Sequence, residues 1–528
     1  MQHLSPEQSD VTPRRQDAKV TAFVSRGRHI NRQLVESGPR LFCISLGALA
    51  PWREQILGLR HHVMLCLAAT LITACTMGPD YVRPTAAVPA AYKADPNWKP
   101  ATPADHLPRG AWWEVFGDPG LTALATQVEL SNQTVQAAAA RYRAAQTLVA
   151  QARAGLFPTV TGAASVVRSQ SMIGGGQVAT AASGPRTTTE SASLSVPWEI
   201  DLWGRVARQV EANRASADAS AADLESARLS AQATLAQDYF LLRISDAQKA
   251  LMDRTVAAYR RALEITRNRY NAGVVPQSDV VLAETQLKTS EAQSIDLGVQ
   301  RAQYEHAIAV LIGRPPAALA LAPTEPPRGF PAIPAQVPSQ LLERRPDIAS
   351  AERLVAAANA QIGVARAAYF PTLTLSASGG YQGANLGKLI GIASPYWSVG
   401  PALAATLFDA GLRRAQNAEA LANYEAAVAT YRQSVLGGFQ EVEDNLAALR
   451  ILGEEAAVQD AAVQAARRSV ELTLNQYKAG TVSYLNVVAL QAVQLSNERT
   501  ALDLQGRRLT ASVLLIKALG GGWQAPAR

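Results

Sequence analysis

The sequence predicts a mixed α+β membrane protein that is built from two copies of one structural unit. The first observation is an internal repeat, in which segments return about 207 to 213 residues later in the same order. The second is a pair of proline-free, helix-periodic stretches of about 65 residues each, much longer than ordinary globular helices. The third is a set of short segments in which small polar and apolar residues alternate, as in strands with two different faces.

The repeat is recognised most clearly at two places. Residues 269–274 return as 476–481, and both copies contain the sequence Tyr-x-Ala-Gly. Residues 153–159 return as 366–372, and both copies end with Phe-Pro-Thr. Two matches in the same order indicate duplication of a long unit rather than a chance motif.

A proline-rich stretch at 314–338 separates the two copies and cannot be continuous helix. We therefore predict a first repeat at 121–313 and a second at 339–523. Residues 524–528 form a short tail.

The N-terminal part predicts a secretory signal. Residues 63–74 form a charge-free apolar run of about a dozen residues, the length of a signal h-region and too short for a membrane-spanning helix. The preceding leader, 1–62, contains nine Lys or Arg against five Asp or Glu, and its length suggests an upstream start of translation. Because this leader supplies +4 of the net charge of +7, the charge does not indicate nucleic-acid binding.

Cys75 directly follows the apolar run, and the sequence 72–75, Ile-Thr-Ala-Cys, resembles a bacterial lipoprotein cleavage box. We therefore predict that Cys75 carries a covalent lipid and begins an N-terminal segment at 75–120. Thr76 is not an aspartate, and by resemblance to bacterial lipoproteins this favours sorting to the outer membrane over retention in the inner membrane. The alternative is a small buried cysteine that follows a core helix.

The composition argues against several kinds of site. All three cysteines, Cys43, Cys66 and Cys75, lie near the N-terminus, so the large remainder of the chain has no thiol for a disulfide or a metal. Beyond the leader the histidines are His106 and His306, far apart in the sequence. We find no motif of a serine hydrolase, a zinc protease or a phosphate-binding loop. We therefore predict no enzyme activity, no cofactor other than the lipid, and no metal site.

Each repeat is predicted to open with an alanine-rich helix and to continue into two strands. In the second strand one face carries apolar residues at 192, 194, 196 and 198, among them Leu194 and Trp198, whereas residues 191, 193 and 195 on the other face are serines. One apolar and one small polar face fits a strand between lipid and a watery lumen, although a half-buried soluble sheet alternates in the same way. The predicted strands are 157–169, 186–200, 370–382 and 395–408, after helices at 121–154 and 339–368.

Four aromatic residues mark one end of these predicted strands. Phe157 and Phe370 open strands, whereas Trp198 and Phe408 close them. In antiparallel hairpins all four lie at the same end, so we predict an aromatic belt at a membrane interface. A proline follows each of the two phenylalanines, at a strand start where a missing backbone donor is tolerated.

Long helices are predicted at 204–268 and 411–475, each roughly 98 Å long at 1.5 Å per residue. Return helices are predicted at 277–312 and 487–519. Four strands leave two open edges and cannot close a barrel alone, so the protein is expected to oligomerise.

The far end of each helix pair forms a tip, predicted at 269–279 and 476–486. Gly273 and Gly480 are expected to take the left-handed conformation that ends a helix. Asp279 is interpreted as an N-cap of the returning helix. Tyrosines in both tips are interpreted as packing residues.

Several motifs, together with the duplication, resemble the TolC-like outer-membrane factors, specifically the NodT-type lipoproteins of resistance-nodulation-division efflux systems. The resemblance covers essentially residues 75–523. The motifs are 75–81 after the signal, Trp112-Trp113 with Phe116 and Asp118, 198–205, and 344–348 at the opening of the second repeat.

The resemblance implies a homotrimer in the outer membrane. Its twelve strands would close a β-barrel, and its helices would continue this barrel through the periplasm as an α-helical barrel. The resemblance also implies a periplasmic adaptor protein and an inner-membrane pump as partners, and passive exit of drugs or other small toxic compounds. The alternatives are metal-ion efflux, type I protein secretion and, from another class, a structural coiled-coil lipoprotein.

By the same resemblance, the tips hold the gate and the adaptor contacts. Acidic residues often ring the closed aperture in this family. Asp279 fits this pattern, whereas Asn486 occupies the corresponding place in the second repeat, so the gate is expected to carry fewer charges. The implied tip residues are Arg269, Tyr270, Gly273, Asp279, Tyr477, Gly480 and Asn486.

Overall fold

A computed structural model describes residues 76–85, 110–172, 183–327, 329, 331, 345–384 and 394–521. The leader at 1–62, the apolar run at 63–74, Cys75 and the tail at 524–528 lie outside the described residues. The linker is described mainly as far as residue 327 and contains a short 3-10 helix, Pro316–Ala318.

Helices dominate the described chain, and their order repeats. They are α1 Pro119–Ser131, α2 Gln133–Ala154, α3 Arg205–Asn271, α4 Gln277–Leu311, α5 Pro346–Ala367, α6 Leu412–Lys478 and α7 Tyr484–Ala518. Helices α5, α6 and α7 thus repeat the order of α2, α3 and α4. None of the helices in the described ranges combines the length and the apolar character that crossing a membrane requires.

The two long helices, α3 and α6, have 67 residues each. Each begins one residue later than predicted, because Gly204 and Gly411 have left-handed φ angles of 72° and 92° and act as N-caps. Each also continues three residues past its predicted end, so Arg269 and Lys478 belong to the last helical turns. A cation in the last turn interacts favourably with the helix dipole, which stabilises this extension.

Asn132 divides the predicted helix at 121–154 into two, so the prediction of one continuous helix is wrong. Its side-chain oxygen accepts a hydrogen bond from the N–H of Val135 at 3.0 Å and caps α2. Its amide nitrogen donates to the carbonyl of Leu311 at 2.7 Å, at the end of α4. Asparagine competes for backbone hydrogen bonds in this way, and here it satisfies two helix ends at once.

The described strands form one antiparallel sheet in the order β1-β2-β3-β4. They are β1 Thr161–Met172, β2 Ser183–Ile200, β3 Thr372–Gly383 and β4 Ser394–Ala404. At the end away from the helices, β1 and β2 extend beyond their predicted limits because their pairing continues to Met172 and Ser183. β2 pairs with β3, so the sheet joins the two repeats.

The predictions that Phe157 and Phe370 open strands are wrong. Each is followed by a proline, which has no N–H to donate to the ladder, and β1 and β3 begin only after that proline. The N–H of Phe157 donates to the carbonyl of Ala154 at 3.1 Å, and that of Phe370 donates to Ala367 at 3.1 Å. Both phenylalanines therefore belong to turns that end helices.

The prediction that Phe408 closes a strand is also wrong. β4 ends at Ala404, whose register partner is Thr372, the first residue of β3. Pro371 cannot extend β3 further, so residues 405–408 follow the sheet without being part of it.

The register gives the sheet two chemically different faces, as the alternation predicts. On one face, small polar side chains meet across strands, with Oγ to Oγ distances of 2.8 Å for Ser165 and Ser191 and for Ser378 and Ser398. The other face carries apolar side chains that are exposed in the protomer. The exposed apolar residues on this second face include Val166, Leu194, Trp397, Val399 and Leu403.

A 3-10 helix, Trp112–Phe116, anchors the chain to the middle of α3. The indole nitrogen of Trp112 donates to the Oε1 atom of Gln232 at 3.2 Å. Asp118 caps α1 with its carboxylate, which also accepts a hydrogen bond from the Tyr239 hydroxyl at 2.8 Å. The aromatic motif at 112–118 therefore has a packing and capping role.

Residues 76–85, which we call the N-terminal segment, contact helices of both repeats. The N–H of Met77 donates to the carbonyl of Trp203 at 3.1 Å, beside the start of α3. At the other end of the segment, Arg432 of α6 donates to the carbonyl of Thr85 at 3.2 Å. The segment therefore bridges the two halves of the molecule.

Close backbone packing and one buried arginine hold the N-terminal segment in place. A Cβ atom on Gly78, whose φ is +106°, would lie 2.5 Å from the Cα atom of Gly363 in α5. Arg208 of α3 is 5% exposed, and its guanidinium donates to the carbonyl of Met77 at 3.2 Å and to Asp80 at 3.0 Å. Glycines at 78 and 363 permit this approach because they have no side chain.

A buried ionic cluster fixes the start of the linker against α3 and α4. Asp246 accepts hydrogen bonds from Arg243 at 3.1 Å and from Arg301 at 2.7 Å. Arg243 also donates to the carbonyl of Ala322 at 2.8 Å, and the N–H of Thr324 donates to Asp246 at 3.3 Å. Each buried charge is thus paired, and removing one member would leave the others buried without a partner.

Replacing Gly363 by alanine is expected to destabilise the folded protein. The new methyl group would meet the Met77 carbonyl oxygen at 2.7 Å and the Arg208 side chain at 2.9 Å, which forces the N-terminal segment away from α5. We expect a loss of about 1–3 kcal/mol in the free energy of unfolding, as for other overpacked sites. Urea unfolding measures it as a lower midpoint.

The control is Gly298→Ala in α4, because nothing lies within 4 Å of an ideal Cβ at Gly298. Alanine favours a helix over glycine by about 1 kcal/mol, so this variant should keep or raise the midpoint. Equal midpoints for the two variants would contradict the tight packing at Gly363.

Candidate functional site

The candidate functional site is the pair of turns at the end of the long helices farthest from the sheet. Residues 272–276 connect α3 to α4, and residues 479–483 connect α6 to α7. The predicted tips at 269–279 and 476–486 contain these turns, together with the flanking helical residues. The turns themselves are therefore shorter than predicted.

Both turns end their long helix in the same way. Gly273 and Gly480 have φ angles of 72° and 80°, the left-handed conformation expected of them. The N–H of Gly273 donates to the carbonyl of Tyr270 at 2.8 Å, and that of Gly480 donates to Tyr477 at 3.0 Å. In each turn the next N–H bonds the carbonyl five residues earlier, which completes a Schellman motif.

Asp279 occupies the third position of α4, so the prediction that it is the N-cap is wrong. The cap residue is Pro276, whose carbonyl accepts the N–H of Asp279 at 3.1 Å. The Asp279 carboxylate lies in the first helical turn, where a negative charge interacts favourably with the helix dipole. Asn486 has the equivalent place in α7, with its N–H donating to the Ser483 carbonyl at 3.2 Å, and brings no charge.

Three buried tyrosines, which we call the tyrosine cluster, join the two helical hairpins near the turns. They are Tyr259, Tyr477 and Tyr484, and apolar side chains from α3, α4, α6 and α7 surround them. The ring centroids of Tyr477 and Tyr484 lie 5.4 Å apart. Burial, with Tyr477, Tyr259 and Asp279 nearby, raises the pKa of Tyr484 to about 12, and burial also raises the pKa of Tyr259. Both phenols therefore stay neutral at physiological pH.

Arg269 connects the first tip to the second, and we call this contact the Arg269 latch. Its Nη1 atom donates to the carbonyl oxygen of Tyr477 at 2.9 Å. Its guanidinium carbon lies 4.5 Å from the centroid of the Tyr477 ring. The Tyr477 carbonyl belongs to the last turn of α6, so the cation meets both the ring face and the negative end of a helix dipole.

The latch is not duplicated in the sequence. Gln476 occupies the place of Arg269 in the second repeat and has no charge. Tyr270 occupies the place of Tyr477, yet its side chain is 42% exposed whereas that of Tyr477 is 4% exposed. The two tips therefore have the same backbone conformation but different side chains on their surfaces.

Tyr259 and Tyr484 are site residues that no sequence pattern indicates. Their counterparts in the other repeat are Ala466 and Gln277, so comparing the two copies does not single them out. Their importance follows from burial between hairpins, which depends on the tertiary packing.

Ion pairs cover the outside of the first hairpin. Arg260 contacts Glu291 at 3.0 Å, and Arg267 contacts Glu284 at 3.5 Å, in each case between α3 and α4. Exposed pairs of this kind contribute at most about 1 kcal/mol each. The hairpin is therefore held mainly by its apolar contacts.

The chemistry of the tip is that of a contact surface. Its polar groups are buried phenols and a half-buried arginine that bonds a backbone carbonyl. Within the described ranges, the structure assembles no group of three or more histidine, cysteine, aspartate or glutamate side chains that could hold a metal ion.

The predicted interface aromatics lie at the helical end of the sheet. Phe157 and Phe408 are 68% and 87% exposed. Trp198 lies in β2, and its indole nitrogen donates to the carbonyl of Leu156 at 3.0 Å. Phe370 instead stacks on Trp203, with ring centroids 4.7 Å apart. Phe157 and Phe408, which are more exposed than Phe370, are thus available to an external apolar phase.

The sequence matches a family model described as outer membrane efflux protein over residues 124–314 and 337–521. It is 32% identical over 472 residues to the pyoverdine export outer membrane protein OpmQ of Pseudomonas aeruginosa. The aligned region covers 88% of this chain and 97% of that protein. It is 31% identical over 462 residues to the toluene efflux pump outer membrane protein TtgC of Pseudomonas putida, which covers 87% of this chain and 95% of that protein.

The fold is also similar to solved structures. The outer-membrane channel OprN superimposes with a TM-score of 0.76 at 31% sequence identity, covering 85% of this chain and 100% of that one. The predicted fold class, with long helices and a four-stranded sheet in each protomer, is confirmed by this similarity.

Replacing Tyr477 by phenylalanine is expected to leave stability unchanged or to raise it. The Tyr477 hydroxyl is buried and has no hydrogen-bond partner among the described residues, so its loss removes an unsatisfied polar group. Tyr477→Ala is expected to cost about 3–5 kcal/mol, because it leaves a cavity in the tyrosine cluster. The melting temperature of the purified protein measures both effects. A large decrease for Tyr477→Phe would show instead that the hydroxyl has a partner in the assembled protein.

Proposed function

Since the chain belongs to the family of outer membrane efflux proteins, we propose that it forms the passive exit duct of a tripartite pump for small organic compounds. The observation that carries this proposal is the sheet at the end of the long helices. It has one small polar face, one exposed apolar face and two unpaired edges. A sheet with free edges is not stable in lipid unless other strands pair with them.

In an assembly of three copies of the chain, each edge strand of the sheet would pair with an edge strand of a neighbouring copy. β1 and β4 are the outer strands, so β4 of one copy can pair with β1 of the next until twelve strands close. The small polar face then lines the lumen and the apolar face contacts lipid. Helices α3 and α6, each about 100 Å long at 1.5 Å per residue, extend the duct through the periplasm.

The proposed passengers are small organic compounds. Two relatives are named for pyoverdine export and for toluene efflux, which are both small-molecule cargoes. Serine, alanine and threonine side chains on the lumen face offer a wide path with no strong preference for one cargo. Choice of cargo and the driving energy would then come from the inner-membrane pump, and the duct itself would have no enzyme activity.

The tips are the proposed contact surface for a periplasmic adaptor protein, which would join the duct to the pump. Three exposed side chains support this role, because Tyr270, Val274 and Leu485 are 42%, 60% and 60% exposed at the turns. Exposed apolar groups in this number at the end of a rod are typical of a binding surface.

Cys75 is the proposed lipid attachment site, and the position of its neighbour supports this. Thr76 lies against Gly204, where a Cβ atom would be 3.0 Å from the Cα atom of Thr76, at the junction of sheet and helices. Thr76 directly follows the proposed attachment site in the sequence. A lipid there would enter the membrane beside the proposed barrel.

The Arg269 latch and the tyrosine cluster are proposed to hold the tip closed. An adaptor that binds the open arrangement more tightly than the closed one would shift the equilibrium towards opening. Asp279 would add its negative charge at the aperture in one tip of each protomer.

Arg269→Gln and Asp279→Asn are expected to raise the single-channel conductance of purified protein in a planar bilayer. The first substitution removes the latch, and the second removes the charge next to the turn. The control is Arg267→Gln, two residues from the latch, because Arg267 makes an exposed ion pair within its own hairpin. Unchanged conductance in both test variants would rule out this gate.

Cys75→Ser is expected to abolish incorporation of radiolabelled palmitate, because a hydroxyl is not the acceptor in lipoprotein processing. Cys66→Ser is the matched control, since Cys66 lies in the apolar run that cleavage would remove. Equal labelling of the two variants would contradict attachment at Cys75.

A further inference from the structure

Two arginines on the sheet have no role in the duct as proposed. Arg168 of β1 is paired with Thr188 of β2, and Arg186 of β2 is paired with Gln170 of β1. Arg168 and Arg186 are therefore diagonal neighbours on one face, roughly 7–8 Å apart. Side chains at this spacing can reach a single ligand.

Both arginines lie on the apolar face of the sheet. Arg168 follows Val166 by two residues in β1, and side chains two apart in a strand share a face. Arg186 has the same parity in β2 as Leu194 and Trp198. The arginines thus continue the apolar face towards the end of the sheet farthest from the helices.

Their height places them just beyond the apolar band. Arg186 is about 14 residues from Ile200, at the helical end of β2, which is roughly 46 Å along the strand. At the usual tilt of about 40°, this is roughly 35 Å of height, compared with about 25 Å for the apolar band of a membrane barrel. The guanidinium groups therefore lie at the level of lipid headgroups.

Most of the donors of these arginines are free. Both side chains are exposed, and the Nε atom of Arg186 donates to the Oε1 atom of Gln170 at 3.2 Å. This contact orients the guanidinium and leaves its two NH₂ groups available. The structure gives Arg168 no ion pair within the described ranges.

Below the arginines, the apolar face has room for acyl chains. Small residues, among them Ala164, Ala192 and Gly379, line a depression of about 730 Å³. Leu194 and Tyr381 border the same depression. Cationic groups above an apolar groove are complementary to an anionic lipid.

Glu190 limits where the anion can lie. It shares the face with the arginines, opposite Val166 and nearer the apolar band, and it is partly buried. Its carboxylate would repel a phosphate at that level, so the phosphate must lie above it, between Arg168 and Arg186.

We propose that Arg168 and Arg186 bind the phosphate of a phosphorylated glycolipid in the outer leaflet of the outer membrane, with its acyl chains along the apolar face. This inference rests on the proposed function, because it needs the apolar face to contact lipid and the helices to lie in the periplasm. The end of the sheet opposite the helices then faces the cell exterior. Arginine suits the role because its planar fork binds phosphate with two hydrogen bonds.

The experiment uses delipidated, detergent-purified trimer and purified lipopolysaccharide with a phosphorylated lipid anchor, before and after enzymatic removal of its phosphates. Native mass spectrometry measures the apparent Kd of each form for the wild-type protein and for R168Q/R186Q. The control is R141Q/R143Q, which removes two exposed arginines from α2 and makes the same change in charge.

We expect wild type and R141Q/R143Q to bind the phosphorylated form at least tenfold more tightly than the dephosphorylated form, and R168Q/R186Q to lose this preference. A preference that survives in R168Q/R186Q, or that is absent from wild type, would overturn the site. Equally tight binding of phosphatidylglycerol would overturn the assignment to a glycolipid.

Conductance in a bilayer that contains no glycolipid separates the two proposals. All variants should conduct there like wild type, because the arginines are not in the duct. If neither wild type nor Arg269→Gln conducts, the proposed function is contradicted, whereas conducting variants with unaltered glycolipid binding would contradict the lipid site alone.

Discussion

The pairing of β2 with β3 determines the geometry of the rest of this protein. It joins the two repeats in antiparallel register, from Ile200 opposite Leu373 to Glu190 opposite Gly383. A slip of one residue would turn the strand side chains of one repeat to the wrong face of the sheet. Because the register aligns the strands, it also aligns the starts of the two 67-residue helices, and the tips of both repeats reach the same level, where the latch can form.

At the tips, the two repeats have the same backbone conformation but different side chains. Both turns have the same left-handed glycine and the same pair of backbone hydrogen bonds. Arg269 and Asp279, however, have the neutral counterparts Gln476 and Asn486. In a trimer this would give six tips of one shape with two alternating chemistries, so that the ring of contacts has threefold rather than sixfold symmetry.

The architecture could be predicted from the sequence because it depends on periodic features. The repeat, the length of the helices and the two faces of the strands are all patterns that extend over many residues. The incorrect predictions lie where a single residue determines where a helix or a strand begins or ends. Asn132 divides a helix, Pro158 and Pro371 delay strands, and Pro276 takes the capping position that Asp279 was expected to have. The burial of Tyr484 and the path of the N-terminal segment depend on contacts between distant parts of the chain, which no local pattern records.

The path of the N-terminal segment has a consequence for the order of folding. Its residue Tyr81 bonds Glu352, and Thr85 bonds Arg432, partners that are 271 and 347 residues away in the chain. Met77 can contact Trp203 once the first repeat has formed, whereas Thr85 acquires its contact only after α6 has packed. Contacts between such distant residues form slowly, because a long loop must close before they stabilise anything. A truncated chain that stops before α6 keeps the contacts of Met77 and Tyr81 but lacks that of Thr85, so protection of the backbone at Thr85 from proteases reports whether α6 has packed.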